Sequence, residues 1–305
     1  MSTQIPQDDR HGADLVESKL LGMIRLMRPR QWVKNTFVFA PIFFTPSAVS
    51  MKALGATLLL FLSFCLVSSG VYCFNDFRDR QSDKRHPIKC HRPLASGLLG
   101  PGTGLAMAIG LVVVGLLIAI LTSPAAATVV LAYAALNLGY SLGLKSISIV
   151  DVLIISAGFV LRVHAGAAVI AVEPTAWIQI CAGMLALFIA LAKRRDDLVM
   201  ALDTDHRVSL AGYSKPFLDV CVVVTLAALL VSYLIFTADQ DAMVRLGSKK
   251  LYLTTPYVIA GVFRYLQLTL VEERSGSPTS LLFNDSFLMV TVAAWLATYI
   301  YMIHF

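Results

Sequence analysis

The chain has 305 residues, of which 57% are hydrophobic and only 14% charged, and its mean hydropathy is +0.73. Soluble domains carry about 25% charged residues, so this composition excludes an ordinary water-soluble fold and indicates one domain of several membrane spans. The net charge of +6 sits mainly in connections between apolar stretches, and no nucleic-acid partner is expected.

Residues 1–14 are polar and lack an apolar core followed by a small-residue cleavage site. They read as a disordered cytoplasmic tail rather than a cleaved signal peptide, with 15–305 forming a single transmembrane domain. From Val16 the apolar residues Val16, Leu20, Met23 and Met27 follow helical spacing among Glu17, Lys19, Arg25 and Arg28. That pattern predicts a helix lying on the membrane surface.

Nine apolar stretches follow, near 33–49, 53–74, 104–122, 125–142, 150–171, 175–192, 217–237, 251–270 and 285–304. Each is close to the ~20 residues that cross a bilayer as a helix. The first is short and interrupted by Pro41 and Pro46, and Thr122-Ser123-Pro124 separates the third from the fourth. The expected fold class is all-α, a polytopic membrane protein with about nine transmembrane helices in a bundle.

Nineteen of the 25 Lys and Arg fall in the N-terminal segment and in the 75–103, 143–149, 193–216 and 271–284 connections. The positive-inside bias therefore puts the N-terminus and these connections in the cytoplasm. Lys52, Arg245, Lys249 and Lys250 fall on the other side, and Arg162 and Arg264 fall within spans. The five cysteines, at unrelated spacings, suggest neither a disulfide framework nor a zinc site.

Three groups of residues have chemistry to offer. Asp76, Asp79 and Asp83 stand at i, i+3 and i+7 just after an apolar run, on one face if the helix continues. Magnesium favours one or two carboxylates plus substrate phosphates and water, so these acids suit a metal-bound phosphorylated substrate. The competing reading is a solvated loop whose acids neutralise Arg78, Arg80, Lys84 and Arg85. A second group, Lys193-Arg194-Arg195-Asp196-Asp197, follows the sixth span, with Asp203, Asp205, His206, Arg207 and Tyr213 beyond it. Here the plain reading is a positive-inside stop. The third lies between them: Tyr140 and Lys145 leave the fourth span, and Asp151, Ile155, Gly158 and Arg162 form one stripe of the fifth. An arginine that deep in a bilayer is costly unless it meets a cavity or a partner, so Arg162 is a functional candidate. His164 faces elsewhere and reads as packing. Gly158, Ala165, Gly166 and Ala167 would let helices approach closely around Arg162.

The motif Asn75-Asp76-x-x-Asp79-x-x-x-Asp83 at the end of the second span resembles the UbiA superfamily of intramembrane prenyltransferases. The resemblance implies a helical bundle around a central cavity open to the cytoplasmic side, with a donor diphosphate held through Mg²⁺ on Asp-rich motifs. Members of the general pattern carry a DxxxD motif after the sixth span, where this chain has Lys193-Arg194-Arg195-Asp196-Asp197. Together with Arg28-Pro-Arg-Gln-Trp-Val-Lys34-Asn35, the Arg-Pro-Leu-Ala-Ser-Gly run at 92–97, Tyr140…Lys145 and Leu161-Arg162…Ala165-Gly166, this looks like a branch using phosphoribosyl pyrophosphate. That donor has an additional 5-phosphate and needs more cations.

The implied reaction is transfer of 5-phosphoribose from phosphoribosyl pyrophosphate to a polyprenyl phosphate of the decaprenyl type, in the bacterial cytoplasmic membrane, for lipid-linked pentose and envelope glycan synthesis. The resemblance assigns the metal to Asp76, Asp79 and Asp83. It makes Asp76, Asp79, Lys34 and Arg162 the catalytic set, and Asn75, Arg28, Tyr140, Lys145, Lys193, Arg194 and Asp197 the substrate-binding set. A homo-oligomer is left open. The rival readings are a UbiA-type transfer of a prenyl group to an aromatic acceptor and a polytopic transporter. No clear internal repeat supports the transporter.

Overall fold

The computed structural model describes residues 18–199, 208–273, 281 and 283–304. The polar tail at 1–14, Val16, Glu17, Asp203, Asp205, His206 and Arg207 lie outside them. The described residues contain helices and no strand. After a helix over 18–27 (α1) come α2 (Met51–Asp83), α3 (Pro101–Thr122), α4 (Pro124–Leu142), α5 (Val150–Val169) and α6 (Ala176–Val199). The chain continues through α7 (Lys215–Ala238), α8 (Gln240–Leu246), α9 (Thr255–Leu266) and α10 (Ser286–His304). Seven of these, α2–α7 and α10, are long and apolar enough to cross a membrane.

The other two predicted spans are not single α-helices. The 33–49 stretch folds as a 3₁₀ segment, Pro29–Phe39, a single α-turn, Ala40–Phe43, and a short 3₁₀ turn, Pro46–Ala48. Pro41 and Pro46 withhold the backbone N–H groups that a continuous helix needs. The 251–270 stretch is split into a 3₁₀ turn (Leu251–Thr254), α9 and a π-turn (Gln267–Val271). Elsewhere the boundaries follow local chemistry. Ser50, Ser123 and Ser214 each cap a helix by accepting from the N–H three residues on.

α1 turns Leu26 inward and leaves Leu20 and Ile24 exposed. Gly22 and Leu26 are its buried residues, while Leu20 stays outside the protein core and Met23 and Met27 are half-buried. His164 is exposed on α5, contrary to the packing role read from the sequence.

α2 packs closely on α3, where Ser63 Oγ donates to the Gly115 carbonyl at 2.7 Å. The 3₁₀ segment lies against α5 through Gly166, where an added Cβ would stand 2.1 Å from the Val38 carbonyl oxygen. This approach is what brings Asn35 to Arg162, with Nε donating to Asn35 Oδ1 at 2.9 Å. Gly166→Ala would force two backbones apart, and overpacking of this kind costs about 1–3 kcal/mol or more. It is expected to lower the detergent melting temperature and reduce activity together. An unchanged melt would mean that the segment moves freely over α5.

The polar helix ends converge. The C-terminal turns of α2, α4 and α6 meet the N-terminal turns of α5 and α7 through Lys145–Asp79, Arg194–Asp151 and Tyr213–Asp151 contacts. The opposite end closes on an aromatic cluster that includes Phe44, Phe236 and Tyr299.

Candidate functional site

α2 does not stop where its apolar run ends. Its last turns carry Asn75, Asp76, Asp79 and Asp83, so the i, i+3, i+7 spacing does share one helix. Three cations from three other parts of the chain reach these acids. Arg28, just before the 3₁₀ segment, donates to Asp76 Oδ1 at 2.5 Å. Arg92, from the loop after α2, donates one Nη1 to Asp76 Oδ1 at 3.0 Å and to Asp83 Oδ2 at 2.8 Å. Lys145, in the turn after α4, donates to both oxygens of Asp79 at 2.7 and 2.6 Å and to Asn75 Oδ1 at 3.1 Å. Asn75 Nδ2 donates back to Asp79 at 3.1 Å.

Asp76 and Asp83 are buried, so their charges need these partners. The neighbour Arg80 instead donates to the Phe77 carbonyl and lies over the Phe77 ring. The acids are organised by long-range contacts, which a solvated charged loop would not require.

Among the described residues no three His, Cys, Asp or Glu side chains form a ready metal cluster. Asp76 and Asp79 nevertheless supply hard oxygen donors one turn apart. Such an open set fits a magnesium ion whose shell is completed by phosphates and water. It lacks the nitrogen and sulfur donors that mark a closed zinc site.

The second feature is positive charge without acidic partners. Arg162 is buried, and its donors go to neutral oxygens. Nε reaches Asn35 Oδ1, Nη1 the Gly158 carbonyl at 2.8 Å and Nη2 the Tyr133 hydroxyl at 2.9 Å. The guanidinium lies over the rings of Tyr133, Phe159 and Phe64, 4.5, 5.3 and 5.6 Å from their centroids. Asn35 is oriented in turn by donating to Cys65 Sγ and Ser68 Oγ, each at 3.3 Å.

Lys34, on the 3₁₀ segment outside the seven spanning helices, keeps solvent contact and has no ion-pair partner among the described residues. Surrounding protein partly desolvates it, and Lys193, Arg162 and Arg28 add repulsion. Together they push its ammonium down to about 8. Lys34, Lys193, Arg162 and Arg28, drawn from three elements, therefore share one electrostatic neighbourhood. Arg28 also lies 5.1 Å from the centroid of Tyr72, and Tyr140 is within electrostatic reach of both Tyr72 and Arg194.

The 193–197 motif lies on α6 and divides its labour. Lys193 is exposed near Lys34. Arg194 is turned inward, donating from Nε to Asp151 at 2.6 Å, with Nη1 3.6 Å from Asp197. Asp151 is fully buried and also accepts from Tyr213 Oη at 2.7 Å and Ser209 Oγ at 3.2 Å. Burial and the bond to Asp151 push the Tyr213 phenol up to about 12, which keeps it a donor. Arg195 pairs with Asp219 and donates to the Thr269 carbonyl in the π-turn at 3.0 Å. Arg194 and Arg195 thus brace α6 against α5, α7 and the π-turn, while Arg194 Nη2 stays buried without a partner among the described residues.

Three non-glycine residues at this end have positive φ, Arg28 (+54°), Ile149 (+71°) and Glu273 (+49°). The Ile149 N–H donates to Tyr213 Oη at 2.6 Å. Such conformations cost about 1–3 kcal/mol each and concentrate at functional sites.

The structure therefore brings together two predicted groups: Asn75, Asp76, Asp79, Asp83, Arg28 and Lys145 at the acids, and Lys34, Arg162 and Lys193 beside them. Sequence reasoning missed Tyr133 as the Arg162 partner, and gave Arg92 and Asn35 no role. Tyr133 and Tyr140 are seven apart on α4, a two-turn repeat that was the one available signal.

Residues 36–292 match the model of the UbiA prenyltransferase family. A decaprenyl-phosphate phosphoribosyltransferase of Corynebacterium glutamicum is 31% identical over 281 residues, covering 90% of this chain and 84% of that protein. One of the same name from Mycolicibacterium smegmatis is 28% identical over 310 residues, covering 97% of each. Among solved structures, a UbiA homologue from Archaeoglobus fulgidus bound to DMAPP and Mg²⁺ superposes with a TM-score of 0.70 at 18% identity, covering 92% of this chain and 98% of that one. A family match over most of the chain, a shared helical fold and acids carried on the end of one spanning helix agree, and the chain belongs to the UbiA prenyltransferase family.

Proposed function

We propose that the protein transfers 5-phosphoribose from phosphoribosyl pyrophosphate to a polyprenyl phosphate and releases pyrophosphate. The observation that carries this reading is the cationic excess beside the acids, where Lys34 and Arg162 have no carboxylate partner among the described residues. A substrate with phosphate at both ends of a ribose suits that charge distribution better than a prenyl diphosphate does. The two relatives' names, at about 30% identity, support the same choice.

In this reading an acceptor phosphate oxygen attacks ribose C1 as the bond from C1 to the pyrophosphate oxygen breaks. The acceptor is already anionic, so no strong general base is needed, and positioning with electrostatics supplies the catalysis. Asp76 and Asp79, with Asp83 behind them, would hold magnesium, whose positive charge stabilises the leaving pyrophosphate. Asn75, Arg28 and Lys145 orient that group. Lys34, Arg162 and Lys193 bind the remaining phosphates, and Tyr140 lines the same mouth. Arg194 and Asp197 act from the buried brace behind it. The lipid tail lies along apolar helix faces.

The same proposal takes 15–305 as one domain with its cavity open to the cytoplasmic side of the bacterial inner membrane. The charge bias supports this orientation, as does the meeting of acids and cations at one end of the bundle.

The test is purified protein with Mg²⁺, labelled phosphoribosyl pyrophosphate and a polyprenyl phosphate, followed by counting label in the lipid phase. A parallel reaction with prenyl diphosphate and an aromatic acid tests the rival. Lipid label in the first reaction alone is expected, and product only in the second would replace this reading.

A pH dependence follows from Lys34. Its folded pKa is lowered, so between about 8 and its ordinary value the unfolded chain binds more protons. The destabilising effect of its charge is then fully present below pH 8 and is relieved as pH rises through that window. Phosphate binding needs the opposite, charged form. The kcat/KM profile is expected to fall on its alkaline side with an apparent pKa near 8, since kcat/KM reports the free enzyme. Lys34→Arg should move that limb to higher pH. A limb that stays in place would assign it to another group.

A further inference from the structure

Arg92 has no place in the roles above, yet among the described residues it is the one whose side chain hydrogen-bonds two of the three acids. It reaches them with Nη1 alone. Its Nε and Nη2 have no partner among the described residues, and the side chain is 27% exposed. A guanidinium has five N–H donors in a planar fork, and the fork suits phosphate oxygens taken two at a time. Arg92 therefore spends one corner on Asp76 and Asp83 and leaves an edge open in a solvent-reached position.

The charge balance gives this edge a use. Asp76, Asp79 and Asp83 are matched by Arg28, Arg92 and Lys145, three charges of each sign. A divalent cation arriving alone meets carboxylates already neutralised. A diphosphate arriving alone at these acids meets Arg28, Arg92 and Lys145 already engaged. Arriving together, they permit an exchange of partners in which the metal takes carboxylate oxygens and the displaced guanidinium takes phosphate oxygens.

We propose that Arg92 is a transferable counter-ion and a direct ligand of the donor's diphosphate. It holds Asp76 and Asp83 until metal and diphosphate arrive, then passes Asp76 to the metal and binds the diphosphate. This rests on the metal–diphosphate part of the proposed function and not on which group the diphosphate carries.

The experiment measures Mn²⁺ binding by the loss of its free EPR signal, with and without pyrophosphate, on full-length protein in detergent. In the parent, pyrophosphate is expected to tighten Mn²⁺ binding strongly. Arg92→Gln should shift the two measurements in opposite directions. Mn²⁺ alone should bind several-fold tighter because a competing cation is gone. The Mn²⁺–pyrophosphate complex should bind about ten- to a hundredfold weaker, the range for a lost charge-assisted hydrogen bond. Arg92→Lys should recover part of the second loss.

Should Arg92→Gln prove unstable, it is made in an Asp83→Asn background, which removes one charge of each sign, and the pyrophosphate deficit should persist relative to Asp83→Asn alone. Loss of both affinities by one factor, or an unchanged pyrophosphate affinity, would make Arg92 a brace only and overturn the inference. Recovery of pyrophosphate affinity in the double variant would do the same. Failure of the phosphoribose assay with the opposite shifts intact would overturn the donor assignment and leave Arg92 as a diphosphate ligand.

Discussion

Asp79→Asn is expected to reduce kcat/KM for phosphoribosyl transfer by on the order of a thousandfold while the protein folds and melts nearly as the parent does. The substitution keeps the shape of the side chain and removes its charge. Lys145 and Asp79 are each 27% exposed, and an ion pair that wet contributes about 0–1 kcal/mol to stability. In the proposed mechanism the transition state gains far more from the same carboxylate, because charge develops on a leaving pyrophosphate in a partly dehydrated site. Stability and turnover should therefore separate. The measurement pairs initial rates with a detergent melting curve on one preparation. A variant that turns over at the parent rate would remove Asp79 from the metal site, and a variant that fails to fold would make it a structural anchor.

The second large effect is expected at Arg162. Arg162→Ala should lose at least a hundredfold in kcat/KM while still inserting into the membrane, with KM for the phosphoribosyl donor carrying much of the loss. Among the described residues no carboxylate contact cancels its charge, which leaves it for a phosphate in a low-dielectric setting. A melting shift should accompany this loss, because Asn35 Oδ1 and the Tyr133 hydroxyl both lose a buried partner, each worth about 1–3 kcal/mol. Arg162→Lys separates the contributions. It retains charge but cannot span Asn35, Gly158 and Tyr133 with one planar fork. Part of the donor affinity should return, while the melting temperature stays low. If Arg162→Ala keeps parent activity, the residue belongs to the packing of the 3₁₀ segment on α5.

Local pattern carried much of the fold. Seven apolar stretches became helices long and apolar enough to cross a membrane, because continuous apolarity over that length favours a fold that satisfies every backbone group internally. The acid spacing placed Asp76, Asp79 and Asp83 on one face because α2 continues through them. Where the pattern was interrupted, at Pro41 and Pro46 and around the π-turn, hydropathy still registered a span. Hydropathy counts side chains and is blind to the missing or rerouted backbone hydrogen bonds that divide these segments.

The candidate site was legible as residue types and illegible as pairings. Asp76 was readable as an acid at a helix end, but Arg28 and Arg92 as its partners were not. Arg28 is 48 residues away in sequence, and Arg162 meets Asn35 across 127. Likewise Lys193-Arg194-Arg195 is one basic run in the sequence, yet its members face different ways. Adjacent residues on a helix point about 100° apart, so Arg194 and Arg195 turn to Asp151 and Asp219 while Lys193 stays exposed near Lys34.

The sequence by itself determined an all-helical membrane chain with acids at one helix end, a deep arginine and a cationic run. Periodicity, apolar length and charge placement are properties of short stretches, and short stretches decide them. The tertiary structure alone decided which charges neutralise one another and which remain for a ligand. That choice depends on distances between elements far apart in the chain, set here by Gly166 letting Val38 touch α5 and by three separate cations closing on the end of α2.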